Sequence, residues 1–367
     1  MKSKPWFELS NVAEIDSPAL LIYTDRVEEN IRRMITIAGS AQQLCPHVKT
    51  HKLAELVRMQ MALGITKFKC ATIAEAEMVA DCGAPDVVLA YQPVGPKVQR
   101  FIQLIKKFPS TNFTTIADDE TAIRALSTAA VQAGVKIKVL LDIDCGMHRC
   151  GAAGSKVVEL YRLIASLPGL VAQGLHAYDG HIDDKDIAIR TAKCDEAFAA
   201  VTTLCRELSD LPAPRIVAGG TPTFPIHARR PEVECSPGTC VLWDAEYEIS
   251  CPDLGFQHAA LVLTRVVSKP GSNRLCLDLG HKAIAAEKPH PRVQFLNLPD
   301  AQSIAHSEEH LVIETPRASE FQVGDVLYGI PRHVCPTVAL HAEAVVVRNG
   351  VAAERWKIAA RDRKLTV

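Results

Sequence analysis

Leu44-Cys45-Pro46-His47-Val48-Lys49-Thr50-His51-Lys52 is the stretch on which the fold turns. Its short apolar start predicts a β-strand over 44–49, and its second half carries an amine between two imidazoles. In extended chain His47, Lys49 and His51 share one face. Outward from this stretch, short apolar runs alternate with longer segments of helical periodicity as far as Thr239, the pattern of repeated βα units. Candidate strands fall at 44–49, 68–72, 87–91, 113–117, 135–143, 171–178, 215–219 and 233–236. Eight such units predict an α/β fold built on a closed eight-stranded (β/α)8 TIM-type barrel, whose chemistry lies at the carboxyl ends of the strands.

After Tyr247 helical periodicity disappears. Runs at 259–267, 275–279, 293–298, 310–314, 326–328, 337–347 and 353–359, punctuated by Pro270-Gly271-Ser272-Asn273 and Asn349-Gly350, predict an all-β C-terminal domain. A further strand, 19–23, precedes the barrel series and could tie the amino terminus to that domain. The division expected is a barrel over 17–247 and a β-strand domain of 1–16 plus 248–367. The chain has 367 residues, 41 Lys plus Arg against 42 Asp plus Glu, and 48% hydrophobic residues. That balance gives no basic excess for nucleic acid, and no apolar run approaches the ~20 residues of a membrane span. Twelve cysteines lack any Cys-x-x-Cys pair, and the first ten residues contain no apolar run with a cleavage site. A cytoplasmic protein with reduced, mostly buried thiols is the expectation.

The reactive residues cluster at strand ends. Lys49, flanked by His47 and His51, has the setting of a Schiff-base lysine, although a solvated basic turn would look the same. Strand five runs into Asp142-Ile143-Asp144-Cys145-Gly146-Met147-His148-Arg149-Cys150-Gly151, where Arg149 suits either an oxygen or ring of a ligand or an ion pair with Asp142 or Asp144. Strand six ends in His176-Ala177-Tyr178-Asp179-Gly180-His181, a run of titratable groups too dense for a lone core histidine. Gly219-Gly220-Thr221 after strand seven and Ser236-Pro237-Gly238-Thr239 after strand eight lie where barrels bind phosphate, and read equally as plain turns. Thr72 and Glu75 form a capping box. In the β domain, His333 and Cys335 at i and i+2 would project from one face of an extended segment as a zinc-type pair, or as a surface histidine beside a buried cysteine. The rival pair, His306 and His310, would lie about 13 Å apart in a strand.

Taken together, Asp16-Ser17-Pro18-Ala19-Leu20, Pro46-His47-Val48-Lys49-Thr50-His51-Lys52, Gly219-Gly220-Thr221, Ser236-Pro237-Gly238-Thr239 and His333-Val334-Cys335-Pro336-Thr337 resemble the D-threonine aldolase and D-serine dehydratase family. These are pyridoxal-phosphate enzymes of the alanine racemase-like fold, fold type III. The resemblance implies that Lys49 carries pyridoxal 5'-phosphate, that Gly219, Gly220, Thr221, Gly238 and Thr239 hold its phosphate, and that Arg149 and Tyr178 line its ring. It places Thr72 near the cofactor and makes His333 and Cys335 the ligands of a divalent metal, zinc before manganese or magnesium. It further implies a homodimer with a shared active site, and a metal near Lys49 only if a β domain covers the barrel mouth.

The activity so implied is a lyase acting on a small D-3-hydroxy amino acid, D-threonine aldolase in type, releasing glycine and an aldehyde. Metal-bound hydroxide, His51, His176 or His181 would take the 3-hydroxyl proton. The alternative within the family is a D-serine or D-3-hydroxyaspartate dehydratase giving a 2-oxo acid and ammonia. His-x-Cys is closer to the dehydratases, and the run 176–181 to the aldolases. Outside these lie a racemase, with Tyr328 as a second base, and a non-catalytic pyridoxal-phosphate-binding protein, against which the extra β domain counts.

Overall fold

The computed structural model describes residues 5–212 and 214–367. In chain order the strands are β1 (Ala19–Tyr23), β2 (Lys67–Cys70), β3 (Asp86–Leu89), β4 (Asn112–Ala117), β5 (Ile137–Ile143), β6 (Leu170–Ala177), β7 (Arg215–Ala218), β8 (Val233–Cys235), β9 (Ala260–Gly271), β10 (Arg274–Leu277), β11 (Val293–Phe295), β12 (Gln302–His306), β13 (Leu311–Glu314), β14 (Val326–Pro331), β15 (Glu343–Arg348) and β16 (Val351–Lys357). Two compact units form. One comprises Arg32–Lys49, Ala54–Gly238 and Asp362–Val367; the other takes the described residues up to Ile31, Thr50–Leu53 and Thr239–Arg361.

In the first unit β2 to β8 make a curled parallel sheet of seven strands among the described residues, in sequential order. The closed eight-stranded barrel expected from the sequence is therefore not formed. Residues 44–47 touch the two edges through single bridges, Leu44 to Cys235 and His47 to Lys69. Pro46 accepts from Lys69 N–H at 2.9 Å but has no N–H to give back, and Val48–Thr50 turns into a 3-10 helix. A regular eighth strand cannot grow through that sequence, so the sheet stays open.

The helices follow each strand as the capping chemistry directs. Thr72 Oγ1 accepts from Glu75 N–H at 3.1 Å while the Glu75 carboxylate accepts from Ala71 N–H at 2.6 Å, which starts the helix Ile73–Asp81. Inside the curl, Cys45, Val88, Ile116, Leu140 and Val217 form an apolar layer. Below it the strand starts carry ionic partners: Lys67 and Arg215 both reach Glu234, at 2.8 and 2.7 Å, and Arg215 also pairs with Asp86.

The second unit is a mixed sheet in the order β12-β13-β10-β9-β1-β15-β16, with β14 on β9 and β11 on β14. β1 pairs with β9 and β15, so the strand that precedes the barrel series belongs to this sheet. Asn349 (φ 51°) and Gly350 (φ 73°) supply the left-handed pair that joins β15 to β16. Residues 337–340 of the expected strand 337–347 belong to a helix instead, Val334–Leu340. Pro336 cannot donate to a ladder but is tolerated in a helix's first turn. Among the described residues no helix is long and apolar enough to cross a membrane, and none of the twelve cysteines is in a disulfide.

Candidate functional site

The carboxyl ends of the parallel strands surround a cleft of about 480 Å³ whose lining includes His47, Lys49, Asp142, Arg149, His176 and Tyr178. Lys49 is half-buried, and the 3-10 turn that ends the extended run at His47 puts it there. The shared face expected for His47, Lys49 and His51 fails for the same reason. His51 is buried in the other unit, where its Nδ1 accepts from Leu53 N–H at 3.1 Å and burial lowers its pKa to about 3. His47 is buried, and burial followed by Lys49 and Lys69 holds it neutral.

Asp142 and His176 form a buried pair, with His176 Nδ1 at 2.6 Å from Asp142 Oδ1. A carboxylate only accepts, so Nδ1 carries the proton, and in the neutral ring Nε2 is the atom with the lone pair. His176 Nε2 is buried, without a hydrogen-bond partner, in a residue that lines the cleft. Asp142 is thus not the partner of Arg149, and neither is Asp144, whose carboxylate gathers Gly146 N–H, His148 N–H and the His148 ring at 2.8–2.9 Å. The loop wraps its own carboxylate and presents Arg149 over the Tyr178 ring, 5.2 Å from its centroid. Lys49 and Lys69 approach the same ring at 5.5 and 5.3 Å. Gly180 leaves room for this tyrosine, since a Cβ there would lie 2.1 Å from the Tyr178 hydroxyl.

Gly219 (φ +81°) turns the chain after β7, and a Cβ there would meet the His227 ring at 2.7 Å. The Gly220 and Gly238 N–H groups hold oxygen acceptors, the Thr223 and Thr221 hydroxyls, at 3.1 and 3.2 Å. Thr72 lines a neighbouring small cavity with Ala71 and Tyr91 rather than the main cleft. His181 is exposed and does not line the cleft.

Sequence reasoning missed Lys69. It is 1% exposed, donates to Ser236 Oγ at 2.5 Å, and has its pKa lowered to about 7 by burial and then by Lys49. The signal was legible: Phe68 and Cys70 alternate with Lys67 and Lys69, which puts two lysines on the inner face of β2. Also missed was the buried group Asp179, Cys194 and His227, whose ligand atoms lie within 4.8 Å of one another, a donor set of the kind that holds metal ions. As it stands it is a hydrogen-bonded chain. Arg230 donates to His227 Nδ1 at 2.9 Å, so Nε2 carries the proton given to Asp179 at 2.7 Å, and Thr223 donates to Asp179 at 2.6 Å. Burial works to raise the Asp179 pKa, but these partners outweigh it and lower it.

In the second unit His333 caps the helix Val334–Leu340 and Cys335 lies in its first turn, so the pair is held by a helix start and not by an extended strand. His333 Nδ1 contacts the Glu287 carboxylate. Burial alone would lower the His333 pKa; hydrogen bonding and charge at the Cys335 sulfur, then Glu287, raise it to about 9. Cys335 Sγ lies 3.2 Å from Thr50 Oγ1 and 3.6 Å from Thr239 Oγ1. His306 ends β12 and its ring nitrogens meet Arg292 and the Leu279 carbonyl, at 3.0 and 3.1 Å, which removes it as a ligand.

Comparison with known proteins agrees with this layout. Residues 22–242 match the family described as alanine racemase, N-terminal domain, and residues 259–347 that described as putative serine dehydratase domain. A D-threonine aldolase of Arthrobacter sp is 32% identical, covering 95% of this chain and 94% of its own, and a 3-hydroxy-D-aspartate aldolase of Paracoccus denitrificans (strain Pd 1222) is 31% identical, covering 96% and 93%. The crystal structure of D-threonine aldolase from Filomicrobium marinum superposes with a TM-score of 0.89 at 29% identity, covering 98% of this chain and 99% of that one. A parallel α/β unit with its lysine in the cleft, a following β unit and similarity along nearly the whole length place this chain in the alanine racemase-like fold family of pyridoxal-phosphate enzymes.

Proposed function

We propose that this chain is a pyridoxal phosphate- and divalent metal-dependent lyase that cleaves D-3-hydroxy amino acids to glycine and an aldehyde. The observation that carries the reading is His176, whose buried, unpartnered Nε2 belongs to the same cleft as Lys49. The 32% identity to a D-threonine aldolase over 95% of the chain supports it. The residues present fit the two groups the family implies. For the cofactor there are a lysine amine in a cleft of about 480 Å³, an arginine over an aromatic ring, and glycine loops whose N–H groups already hold oxygens. For the metal, a histidine oriented by a carboxylate on one nitrogen and beside a thiol is a zinc-type donor set.

Lys49 would hold the cofactor covalently, Gly219, Gly220, Thr221, Gly238 and Thr239 its phosphate, and Arg149 and Tyr178 its ring. When bound, the cofactor supplies a sink for the electron pair left at Cα, and the metal a Lewis acid for the 3-hydroxyl. His176 Nε2 accepts the hydroxyl proton, and Asp142 stabilises the charge that develops on the imidazole. His176 is preferred to His51, which is locked to Leu53 in the other unit, and to His181, which does not line the cleft. Twelve cysteines outside any disulfide are in keeping with a cytoplasmic setting, and a homodimer belongs to the same reading.

The dehydratase reading has its own support in the match of residues 259–347 to a putative serine dehydratase domain and in a thiol at position 335. Incubation with D-threonine and zinc, manganese or magnesium decides between them. Glycine with acetaldehyde is the expected outcome, whereas 2-oxobutanoate with ammonia selects the dehydratase. Failure of the purified chain to act on D-threonine, D-serine or D-3-hydroxyaspartate would refute both. Borohydride reduction should fix the cofactor on Lys49 and leave Lys49→Ala unlabelled.

A further inference from the structure

Lys69 stands outside the chemistry assigned above, and its surroundings give it a task. It projects from β2 beneath the cleft, 1% exposed. Its Nζ donates to Ser236 Oγ at 2.5 Å, and the Ser236 hydroxyl reaches the Gly219 and Ala218 carbonyls at 2.8 and 3.3 Å. Among the described residues no carboxylate forms an ion pair with this ammonium; Asp142 and Asp179 act on it only at longer range. A buried ammonium with one neutral acceptor is costly, and a fold that keeps it gains when an anion arrives. Its one partner leads directly into the glycine turn after β7. Ser236 accepts from Lys69, which directs its own proton to the backbone carbonyls that begin the turn.

We propose that Lys69 is a positioning residue of the anion cradle, its buried ammonium fixing the Gly219 turn through Ser236 and supplying positive charge for a phosphate-ended ligand. The inference rests on the proposed pyridoxal-phosphate reading and deepens it, because a lysine distinct from the one that bonds the cofactor then governs its affinity. The groups facing Lys69 are Cys45, His47 and Lys49 on the first segment, Asp142 on β5, Tyr178 and Asp179 just after β6, and Ser236 after β8. Its pKa near 7 makes its charge, and with it anion affinity, sensitive to neutral pH. Of these neighbours, His47 is held neutral and Cys45 has a pKa raised to about 12 by burial.

The test uses the full chain with two probes, pyridoxal phosphate, followed by its visible absorption, and sulfate, a dianion across the whole pH range, followed by its stabilisation of the fold. In Lys69→Met the cofactor dissociation constant should rise roughly tenfold or more and sulfate stabilisation should vanish. The melting temperature without anion should be unchanged or higher, since a buried cation has been replaced by an apolar side chain. Lys69→Arg should restore both affinities. Wild-type sulfate affinity should fall as pH rises through about 7, and that of Lys69→Arg should not. Wild-type affinities in Lys69→Met would overturn the proposal. So would a loss accompanied by a lowered melting temperature and not rescued by arginine, the mark of a merely structural lysine. A wild-type chain that takes up no pyridoxal phosphate would overturn the proposed function instead, and the sulfate arm would still decide the role of Lys69.

Discussion

Replacing Asp142 with Asn tests the proposed base most directly. The His176–Asp142 bond is 2.6 Å long, and the two side chains are only 6% and 9% exposed, so water does not screen it. A buried, charge-assisted hydrogen bond of this kind contributes about 1.5–3 kcal/mol. Its effect is larger once the imidazole is cationic, because only then does the carboxylate face a full positive charge. Asn keeps the shape and can still accept from Nδ1–H, so the substitution removes the charge and little else. At about 1.4 kcal/mol per factor of ten, the rate of D-threonine cleavage should fall by about tenfold to a hundredfold. KM should change little, because the pair acts on a proton in flight and not on bound ground-state groups. Initial rates of acetaldehyde release, with cofactor content checked by visible absorption, give the measurement. A second arm uses non-additivity: the catalytic role given to Asp142 runs through His176, so Asp142→Asn should cost little further in a His176→Gln background. A wild-type rate in Asp142→Asn, or full additivity in the double variant, would refute the assignment of His176.

Three further outcomes are expected. Glu287→Gln should weaken zinc binding by about 10–100-fold, measured by competition with a chromophoric chelator, because Glu287 orients His333 through Nδ1; unchanged affinity would remove the pair from the metal site. Gly180→Ala should displace Tyr178, whose hydroxyl lies 2.1 Å from the new Cβ, and lower cofactor affinity about tenfold with little change in melting temperature. For Lys69 the folded pKa of about 7 lies below the ~10.4 of an unfolded lysine, so between these values the unfolded chain binds more protons and stability rises with pH. Urea unfolding of wild type against Lys69→Met should therefore show the variant's advantage fully present below about pH 7 and shrinking toward pH 10, and a constant difference would contradict the low pKa.

The βα series was legible because parallel strands covered by helices read as apolar runs between periodic segments, and β5, with Ile137, Val139, Leu140 and Leu141 all buried, is such a run. The segment 44–49 looks like another. Its local propensity could not reveal that Pro46 and the turn at Val48–Thr50 leave it only a single bridge to each sheet edge. Likewise the texture around 337–347 favours strand, whereas Pro336 in a first turn, with Asp244 accepting from Val334 N–H at 3.0 Å, starts a helix. That partner lies ninety residues away in sequence, beyond any local pattern.

By itself the sequence determined the βα and all-β texture of the two parts, the lysine that follows the first apolar run and the His-x-Cys pair, because these depend on periodicity and on neighbouring residues. Tertiary structure decided which side chains work together. It gave Asp142 to His176 and Asp144 to His148, leaving Arg149 for the Tyr178 ring, and it sent His51 away from Lys49 at a 3-10 turn. It also brought Lys69 of β2 to Ser236 after β8, 167 positions apart. Such pairings depend on the curl of the sheet, which closes distances in space that no spacing along the chain records.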